Sequence, residues 1–322
     1  MKTENLYIFN FKFMPKQIFT FLLKSFLLSI PILIIVAFFS IHQYLPAITE
    51  NISLDAKIFE QHKLKSQSFE IISIGSSMTL NNLNSKTIYQ NLNKRYYNLG
   101  AWGLQISDIR KLASFYIHEL KPKYVILGSS IPDFKYSDQF KVPAAADLII
   151  YKYFNEYFYL KNFDVKKTES NNHDYMILKK NTCDYANLNF DEYGGVALTI
   201  PRICISKKRW NEKFNFPTDY TSFQYKELSL LAKHLQKESI KLIFIQCPIK
   251  PSYATSENER SILNQHYNKC KSIIESNAGI YLNLNNEINY QDSMFVDQFH
   301  LSDTASKLFT KKICDQIKAS IK

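Results

Sequence analysis

Short apolar runs and helical patterns alternate along most of this 322-residue chain, and this alternation restricts the possible folds more than any other feature. Apolar residues at helical spacing lie between the runs, and the segment 106–120 is a clear example. Strand and helix in alternation are typical of parallel βαβ units whose helices cover both faces of one sheet. We therefore predict a three-layer α/β/α architecture with a flavodoxin-like parallel sheet. The five predicted strands cover 69–74, 95–99, 123–127, 241–246 and 280–284.

The connection between the third and fourth predicted strands is far longer than one crossover helix requires. It is rich in Tyr, Phe and Asn, and it contains the tight basic triplet Lys207-Lys208-Arg209. We interpret it as an insertion at about 134–220 that lies beside the functional site, because ligands of such sheets bind outside the carboxyl ends of the strands. Its aromatic side chains either line a substrate groove or form a core of their own.

The first long apolar run, residues 18–41, is long enough to cross a bilayer as a helix, which takes about 20 residues. Four lysines and a single glutamate lie in residues 1–24, and because positive flanks stay in the cytoplasm, the rest of the chain is expected outside. A cleaved signal peptide is one alternative and a buried core helix is another. No A-x-A cleavage site follows the run, which favours an uncleaved anchor. We predict a cytoplasmic tail (1–17), a transmembrane anchor (18–41), a stalk (42–66) and an extracytoplasmic domain (67–322).

The chain is basic, with 40 Lys and Arg against 29 Asp and Glu and a formal net charge of +11. No helix-turn-helix, zinc-finger or RRM signature accompanies this charge, so we predict no nucleic-acid partner. An exported basic domain is suited to contact with anionic lipid or an anionic envelope polymer. A solvated lysine surface without any partner is the simpler alternative.

Residue types that hold metals or cofactors are not grouped in the sequence. HExxH and CxxC motifs are absent, and so are GxGxxG and Walker A motifs. We therefore predict neither a metal nor a cofactor. The five cysteines are widely spaced, and Cys183 with Cys204 is the one pair that we consider for a disulfide.

Two short motifs carry residue types that are suited to nucleophilic catalysis. The sequence Gly75-Ser76-Ser77-Met78 follows the first predicted strand, so the Ser77 hydroxyl is expected at the rim of the sheet. Asp297 and His300 precede the last predicted helix. A serine hydroxyl needs a base such as histidine, and a carboxylate fixes the tautomer of that histidine. Each motif alone is commoner as an ordinary turn, but together they predict one proton-transfer site.

The chain order of these motifs, a Ser after the first strand and Asp-x-x-His before the last helix, resembles that of the SGNH (GDSL-like) hydrolases. The resemblance begins near residue 69 and ends in the last helix, and the long insertion falls outside it. It implies that Ser77 is the nucleophile, that His300 is the base and that Asp297 orients the base. Ser76 departs from the family pattern, since it stands where Asp is usual.

Two further segments resemble the blocks that stabilise the oxyanion in this family. The sequence Asn98-Leu-Gly-Ala-Trp-Gly103 resembles the second block, which implies that the backbone N–H of Gly103 is an oxyanion donor. The sequence Gly128-Ser-Ser-Ile131 occupies the place of the third block, with Ser130 where the family has an oxyanion Asn. The resemblance implies that Ser130 donates more weakly than Asn or that a backbone N–H replaces it.

The Gly-Ser-Ser form of the first block, behind one amino-terminal anchor, is similar to the envelope acyl-transfer branch of the family, which includes teichoic acid D-alanylation and alginate O-acetylation proteins. This similarity implies a single-pass protein of the bacterial inner (cytoplasmic) membrane with an extracytoplasmic or periplasmic domain. It also implies an acylated envelope polysaccharide or a lipid-linked glycan as substrate. A multispanning membrane acyltransferase is the implied partner.

The sequence therefore predicts a serine esterase or O-acyltransferase that uses a Ser-Asp-His triad on acyl groups of cell-envelope carbohydrate. Whether water or a sugar hydroxyl resolves the acyl-enzyme depends on how well the insertion excludes water. The departure at Ser130 motivates an alternative, a non-catalytic glycan-binding or scaffolding subunit of a membrane acyltransferase system. A carrier-protein thioesterase is a third hypothesis, which the topology disfavours because carrier proteins are cytoplasmic.

Overall fold

The computed structural model describes residues 16–64, 67–135, 142–154, 156–161, 164–213 and 223–321. The predicted tail therefore lies almost wholly outside the described residues, and the predicted insertion lies partly outside them. The α-helices are α1 (Lys16–Ile41), α2 (Ile52–Lys63), α3 (Ser77–Asn82), α4 (Ser85–Leu92), α5 (Ile106–Leu120), α6 (Ala145–Tyr153), α7 (Tyr157–Lys161), α8 (Val165–Lys180), α9 (Lys207–Asn211), α10 (Phe223–Lys237), α11 (Glu257–Glu275) and α12 (Asp303–Ile317). The strands are β1 (Ile71–Ser73), β2 (Tyr96–Asn98), β3 (Tyr124–Ser129), β4 (Lys241–Gln246) and β5 (Ile280–Asn283). Short 3₁₀ helices cover Ile131–Phe134, Arg202–Cys204, Asp292–Met294 and Lys318–Ser320.

The five strands form one parallel sheet in the order β2-β1-β3-β4-β5. This is the flavodoxin-like order, in which the chain reverses its direction of travel across the sheet after β2. Ile71 of β1 pairs with Tyr96 on one side and with Tyr124 on the other, so β1 is an internal strand. The predicted fold class is confirmed, and each of the five predicted runs overlaps one strand.

Two apolar cores cover the two faces of this sheet. One lies between the sheet and helices α5, α10 and α11, and the other lies between the sheet and helices α3, α4 and α12. Neighbouring residues of β4 alternate between them, since Leu242 belongs to the first core and Ile243 to the second. Because both faces are covered, the strand sequences are continuously apolar and do not alternate with polar residues. Each fully buried Leu, Ile or Phe contributes roughly 1.5–3 kcal/mol.

Helix α1 is long and apolar enough to cross a membrane, and it is the one such helix in the described part of the chain. Most of its apolar side chains are exposed, as expected for a lipid-facing surface. Its last turns contact the domain, where Val36 and Phe39 are buried and the Phe39 ring lies 6.2 Å from that of Tyr159 in α7. The expected orientation across the membrane stays a prediction.

The segment that we predicted as a stalk differs in the structure, because α2 belongs to the folded domain. Leu54 and Ile58 are fully buried in the first core. Lys57 is also fully buried, and its Nζ donates to the carbonyl oxygens of Asn98 (2.9 Å) and Gly194. Burial lowers the pKa of Lys57 to about 7, against smaller opposing effects of Asp191 and Glu60. The prediction was wrong because the polar residues of α2 are buried with partners that are distant in sequence.

The cysteine prediction also differs from the structure. Cys183 and Cys204 are both free and exposed, so they do not form the disulfide that we considered.

Substitution of Leu54 tests the burial of α2. We expect Leu54→Ala to lower the free energy of unfolding of the full chain in detergent by about 2–5 kcal/mol, because the change leaves a cavity in the core. Leu230→Ala is the matched control, since Leu230 is 48% exposed on α10 and should change stability by less than about 0.5 kcal/mol. Equal, small effects of the two substitutions in denaturant titrations would contradict the buried position of α2.

Candidate active site

Ser77 lies at the carboxyl edge of the sheet as the first residue of α3. The turn between β1 and α3 is tight, and a Cβ at Gly75 would overlap Thr79 Oγ1. Thr79 Oγ1 donates to the carbonyl oxygen of Gly128 (2.7 Å) and accepts from its N–H (3.0 Å), which joins the start of α3 to the end of β3. Ser76 caps the helix, since its Oγ accepts from Met78 N (3.1 Å). This local geometry places the Ser77 hydroxyl at the rim of the sheet, as the motif predicts.

Asp297 and His300 lie in the loop between β5 and α12. Asp297 Oδ1 accepts from the backbone N–H groups of Phe299 (2.9 Å) and His300 (2.8 Å). These bonds fold the loop back on itself, so that the carboxylate lies beside the imidazole of the same segment. Ser302 then caps α12, since its Oγ accepts from Ala305 N.

The three predicted catalytic side chains form one continuous hydrogen-bonded chain. His300 Nε2 lies 2.9 Å from Ser77 Oγ, and His300 Nδ1 lies 2.8 Å from Asp297 Oδ2. Burial by itself raises the pKa of Asp297, but the facing His300 ring and the backbone donors outweigh it and hold the pKa below its usual range. Asp297 is thus suited to remain a carboxylate and to keep a proton on Nδ1, which leaves Nε2 free to accept the proton of Ser77.

Asn82 connects α3 to the loop of His300, and no motif of the sequence predicted this role. Its Nδ2 donates to the carbonyl oxygen of Phe299 (2.8 Å), and its Oδ1 accepts from Leu301 N (2.9 Å). The fully buried amide therefore binds the main chain on both sides of His300. Its position one helical turn beyond Ser77 was the available signal, but an Asn in a short helix has many other uses.

The two predicted oxyanion residues have different environments. Gly103 is exposed in the loop after β2 and has φ +67°, a left-handed conformation that favours glycine. The neighbouring residue Trp102 lines the cavity that contains Ser77. The role of the Gly103 N–H as an oxyanion donor stays a prediction. Ser130 is fully buried, and its Oγ has no hydrogen-bond partner within the described residues. The structure does not bring the Ser130 hydroxyl to the surface of the cavity.

A buried carboxylate, Asp133, lies behind the nucleophile turn. Asp133 Oδ2 accepts from Ser129 Oγ (2.7 Å), and the Ser76 side chain also hydrogen-bonds to this carboxylate. Burial raises the pKa of Asp133 to about 6, although these hydrogen bonds and the charge of His300 oppose the rise. Asp133 thus lies close to Ser76, which stands where Asp is usual in the family that the sequence resembles. Nothing in the local sequence marked this residue.

Ser77 and His300 open into a cavity of about 280 Å³. Trp102 lines it from the loop after β2, while Tyr185 and Arg209 line it from the predicted insertion. The insertion therefore forms one wall of the cavity. Within the described residues, no group of three His, Cys, Asp or Glu is arranged to hold a metal ion.

A scan of the sequence against protein-family models matched no family, and a search of curated proteins found no match. Solved structures that are similar to this chain include a lipase/acylhydrolase from Enterococcus faecalis (12% identity, 79% of this chain and 97% of that chain, TM-score 0.40). A GDSL-like lipase from Bacteroides thetaiotaomicron is another (10%, 83% and 97%, TM-score 0.41). A catalytic mutant of an acetylxylan esterase from Geobacillus stearothermophilus is a third (11%, 79% and 96%, TM-score 0.38). Similarity at this level does not identify a function, which has to come from the residues of this chain.

The buried carboxylate predicts a pH dependence of stability. Because the pKa of Asp133 is raised from 3.8 to about 6, the folded protein binds more protons there than the unfolded chain between these two pH values. The free energy of unfolding should therefore fall as pH rises through this window and level off above pH 6. Asp133→Asn removes this contribution, so the wild type should lose more stability than the variant between pH 4 and 7, by up to about 3 kcal/mol. Parallel denaturant titrations would reject the assignment if both proteins showed the same pH profile.

Proposed function

We propose that this chain is an extracytoplasmic serine esterase or O-acyltransferase that acts on acyl groups of cell-envelope carbohydrate. The observation that carries the proposal is the hydrogen-bonded chain from Ser77 Oγ through both nitrogens of His300 to Asp297. A serine hydroxyl, a histidine base and a buried carboxylate in this order are the parts that acyl transfer through a covalent intermediate requires.

In the proposed reaction, Ser77 Oγ attacks the acyl carbonyl carbon while its proton moves to His300 Nε2. The tetrahedral intermediate then collapses, the bond to the leaving oxygen breaks, and His300 returns the proton to that oxygen. Water or a sugar hydroxyl next gives its proton to His300 and attacks the acyl-enzyme. The bond between the acyl carbon and Ser77 Oγ then breaks, and His300 returns the proton to that oxygen. Asp297 stabilises the imidazolium that forms in each half of the reaction.

Two backbone donors are proposed to stabilise the oxyanion, the N–H of Ser77 at the start of α3 and the N–H of Gly103. The backbone N–H of Met78 donates to Oγ of the cap residue Ser76. We therefore assign the N–H of Ser77, and not that of Met78, to the oxyanion. Because the Ser130 hydroxyl is enclosed in protein, we do not assign it a direct contact with the oxyanion. A donor of this kind stabilises the transition state by about 3 kcal/mol. An enzyme with two such donors is therefore expected to be slower than one with three.

The proposed location and substrate rest on features outside the triad. Helix α1 is suited to anchor the domain in the inner membrane, with the lysine-rich start of the chain in the cytoplasm. Trp102 and Tyr185 line the cavity with aromatic side chains, which suit a carbohydrate. An acylated envelope polysaccharide or a lipid-linked glycan is the proposed substrate, and a multispanning membrane acyltransferase is the proposed partner.

Covalent labelling with a fluorophosphonate probe tests the nucleophile. We expect the full chain in detergent to be labelled at Ser77, because the probe reacts with serines whose proton is taken up by a neighbouring base. Ser77→Ala should not be labelled, whereas Ser114→Ala, an exposed serine of α5, should be labelled like the wild type. Peptide mass spectrometry locates the label. A folded wild-type protein that resists the probe would instead favour the glycan-binding or scaffolding subunit.

Asp297→Asn tests the tautomer argument with little change of shape. The Asn oxygen can still accept from Phe299 N and His300 N, but its amide would donate to His300 Nδ1 and move the ring proton to Nε2. His300 then cannot accept the proton of Ser77, and hydrolysis of p-nitrophenyl acetate should fall on the order of 10³–10⁴-fold with the thermal midpoint nearly unchanged. A variant that kept more than a tenth of the wild-type rate would refute the assigned role of Asp297.

A further inference from the structure

Arg209 lines the same cavity as Ser77 and His300, yet the proposed chemistry gives it no role. It belongs to the basic triplet of the insertion, Lys207-Lys208-Arg209, to which no motif assigns a function. Its guanidinium lies over the ring of Tyr185, with 4.4 Å between the guanidinium carbon and the ring centroid. A permanent cation is thus part of the cavity wall.

The main chain of Arg209 is held by the loop that carries the catalytic pair. Gln298, which lies between Asp297 and His300 in sequence, is buried, and its Nε2 donates to the carbonyl oxygens of Arg209 and Glu212. Helix α9 is also capped by Ser206, whose Oγ accepts from Arg209 N. The position of Arg209 relative to His300 is therefore fixed by direct hydrogen bonds.

Neighbours on both sides strengthen this placement. The buried side chain of Lys250 donates to the carbonyl oxygen of Trp210 (2.7 Å) and lies over the indole ring (3.8 Å). The hydroxyl of Tyr185 donates to the carbonyl oxygen of Val296, directly before Asp297. The ring that supports the Arg209 guanidinium is thereby attached to the same catalytic loop.

Within the described residues, the guanidinium of Arg209 has no hydrogen-bond acceptor and no carboxylate at ion-pair distance. The carboxylate of Asp297 is already paired with His300. A guanidinium that stacks on an aromatic ring presents its N–H groups at the edge of its plane, where they bind two oxygens of one anion. The net charge of +11 further favours anionic ligands.

We propose that Arg209 binds an anionic group, a carboxylate or a phosphate, of the carbohydrate whose acyl ester reacts at Ser77. The inference rests on the proposed function and narrows its substrate to acidic carbohydrates. The shared chemistry is a pair of oxygens on one negatively charged group, which a guanidinium binds through two parallel hydrogen bonds. A neutral acylated sugar lacks these oxygens and would leave the guanidinium without a partner.

Binding to the inactive Ser77→Ala chain in detergent tests the inference without turnover. The probes are three monoacetylated methyl glycosides: a glucuronate, its uncharged uronamide, and a glucose 6-phosphate. We expect the glucuronate, the phosphate or both to bind about 10- to 100-fold more tightly than the uronamide in calorimetric titrations, as for hydrogen bonds to a charged group. The two anionic arms distinguish a carboxylate from a phosphate.

Variants in the same background locate the effect. Adding Arg209→Gln should abolish the preference for the anionic probes, and Arg209→Lys should keep part of it, because lysine retains the charge without the fork of donors. Lys208→Gln is the matched control, since this exposed neighbour in α9 loses the same charge but does not line the cavity. Should Arg209→Gln not fold, the comparison of Arg209→Lys with the wild-type residue decides.

Two results would overturn the inference: equal affinity for the uronamide and both anionic probes, or a preference that survives in Arg209→Gln. Turnover is measured separately, as acetate release from the same probes by the chain with Ser77 intact. Absence of Ser77-dependent release together with an Arg209-dependent preference would reject the proposed catalysis and keep the anion site. Ser77-dependent release of acetate without any preference for the anionic probes would reject the anion site and keep the proposed catalysis.

Discussion

The relative position of nucleophile and base depends on one buried amide. Ser77 and His300 are separated by most of the chain, and the parallel sheet only brings their loops to the same edge. Asn82 fixes the position of the His300 loop relative to α3, the helix that begins with Ser77. Its side chain binds the main chain on both sides of His300. Thr310 of α12 adds a bond to the turn between α3 and α4, since its Oγ1 accepts from the backbone N–H of Asn84. A distance of 2.9 Å between the hydroxyl and the imidazole is therefore a consequence of the packing of α3 against α12.

The segment between α1 and the sheet supports the opposite side of the cavity. Asn51 Nδ2 donates to the carbonyl oxygen of Trp102 (2.6 Å), and Ser53 Oγ accepts from Trp102 N (3.1 Å). The loop that carries Trp102 and Gly103 is thus held by the amino-terminal end of α2. Helix α1 also contacts the predicted insertion, since the Phe39 ring lies 6.2 Å from that of Tyr159 in α7. The segment after α1 is therefore packed into the domain, which a flexible stalk would not be.

The sequence predicted the sheet well because its strands are buried on both faces and are therefore continuously apolar. It also predicted which loops meet, since parallel strands bring all their carboxyl ends to one edge. It did not predict α2, because a buried polar residue such as Lys57 looks solvent-exposed until its distant partners are known. Asn82 and Arg209 were missed for the same reason, since their roles depend on contacts with a loop that lies about 90 or more residues away. Long-range hydrogen bonds, and not local patterns, define these parts of the site.

The charges around the cavity connect substrate choice to catalysis. The proposed reaction forms a positive imidazolium at His300, which the Asp297 carboxylate stabilises. Arg209 lines the same cavity as Ser77 and His300. An anionic group bound to Arg209 would therefore hold its acyl ester beside the nucleophile and the base. A neutral ester would lack this second point of attachment, so the proposed arrangement would discriminate against neutral esters in binding and in the positioning of the ester for attack.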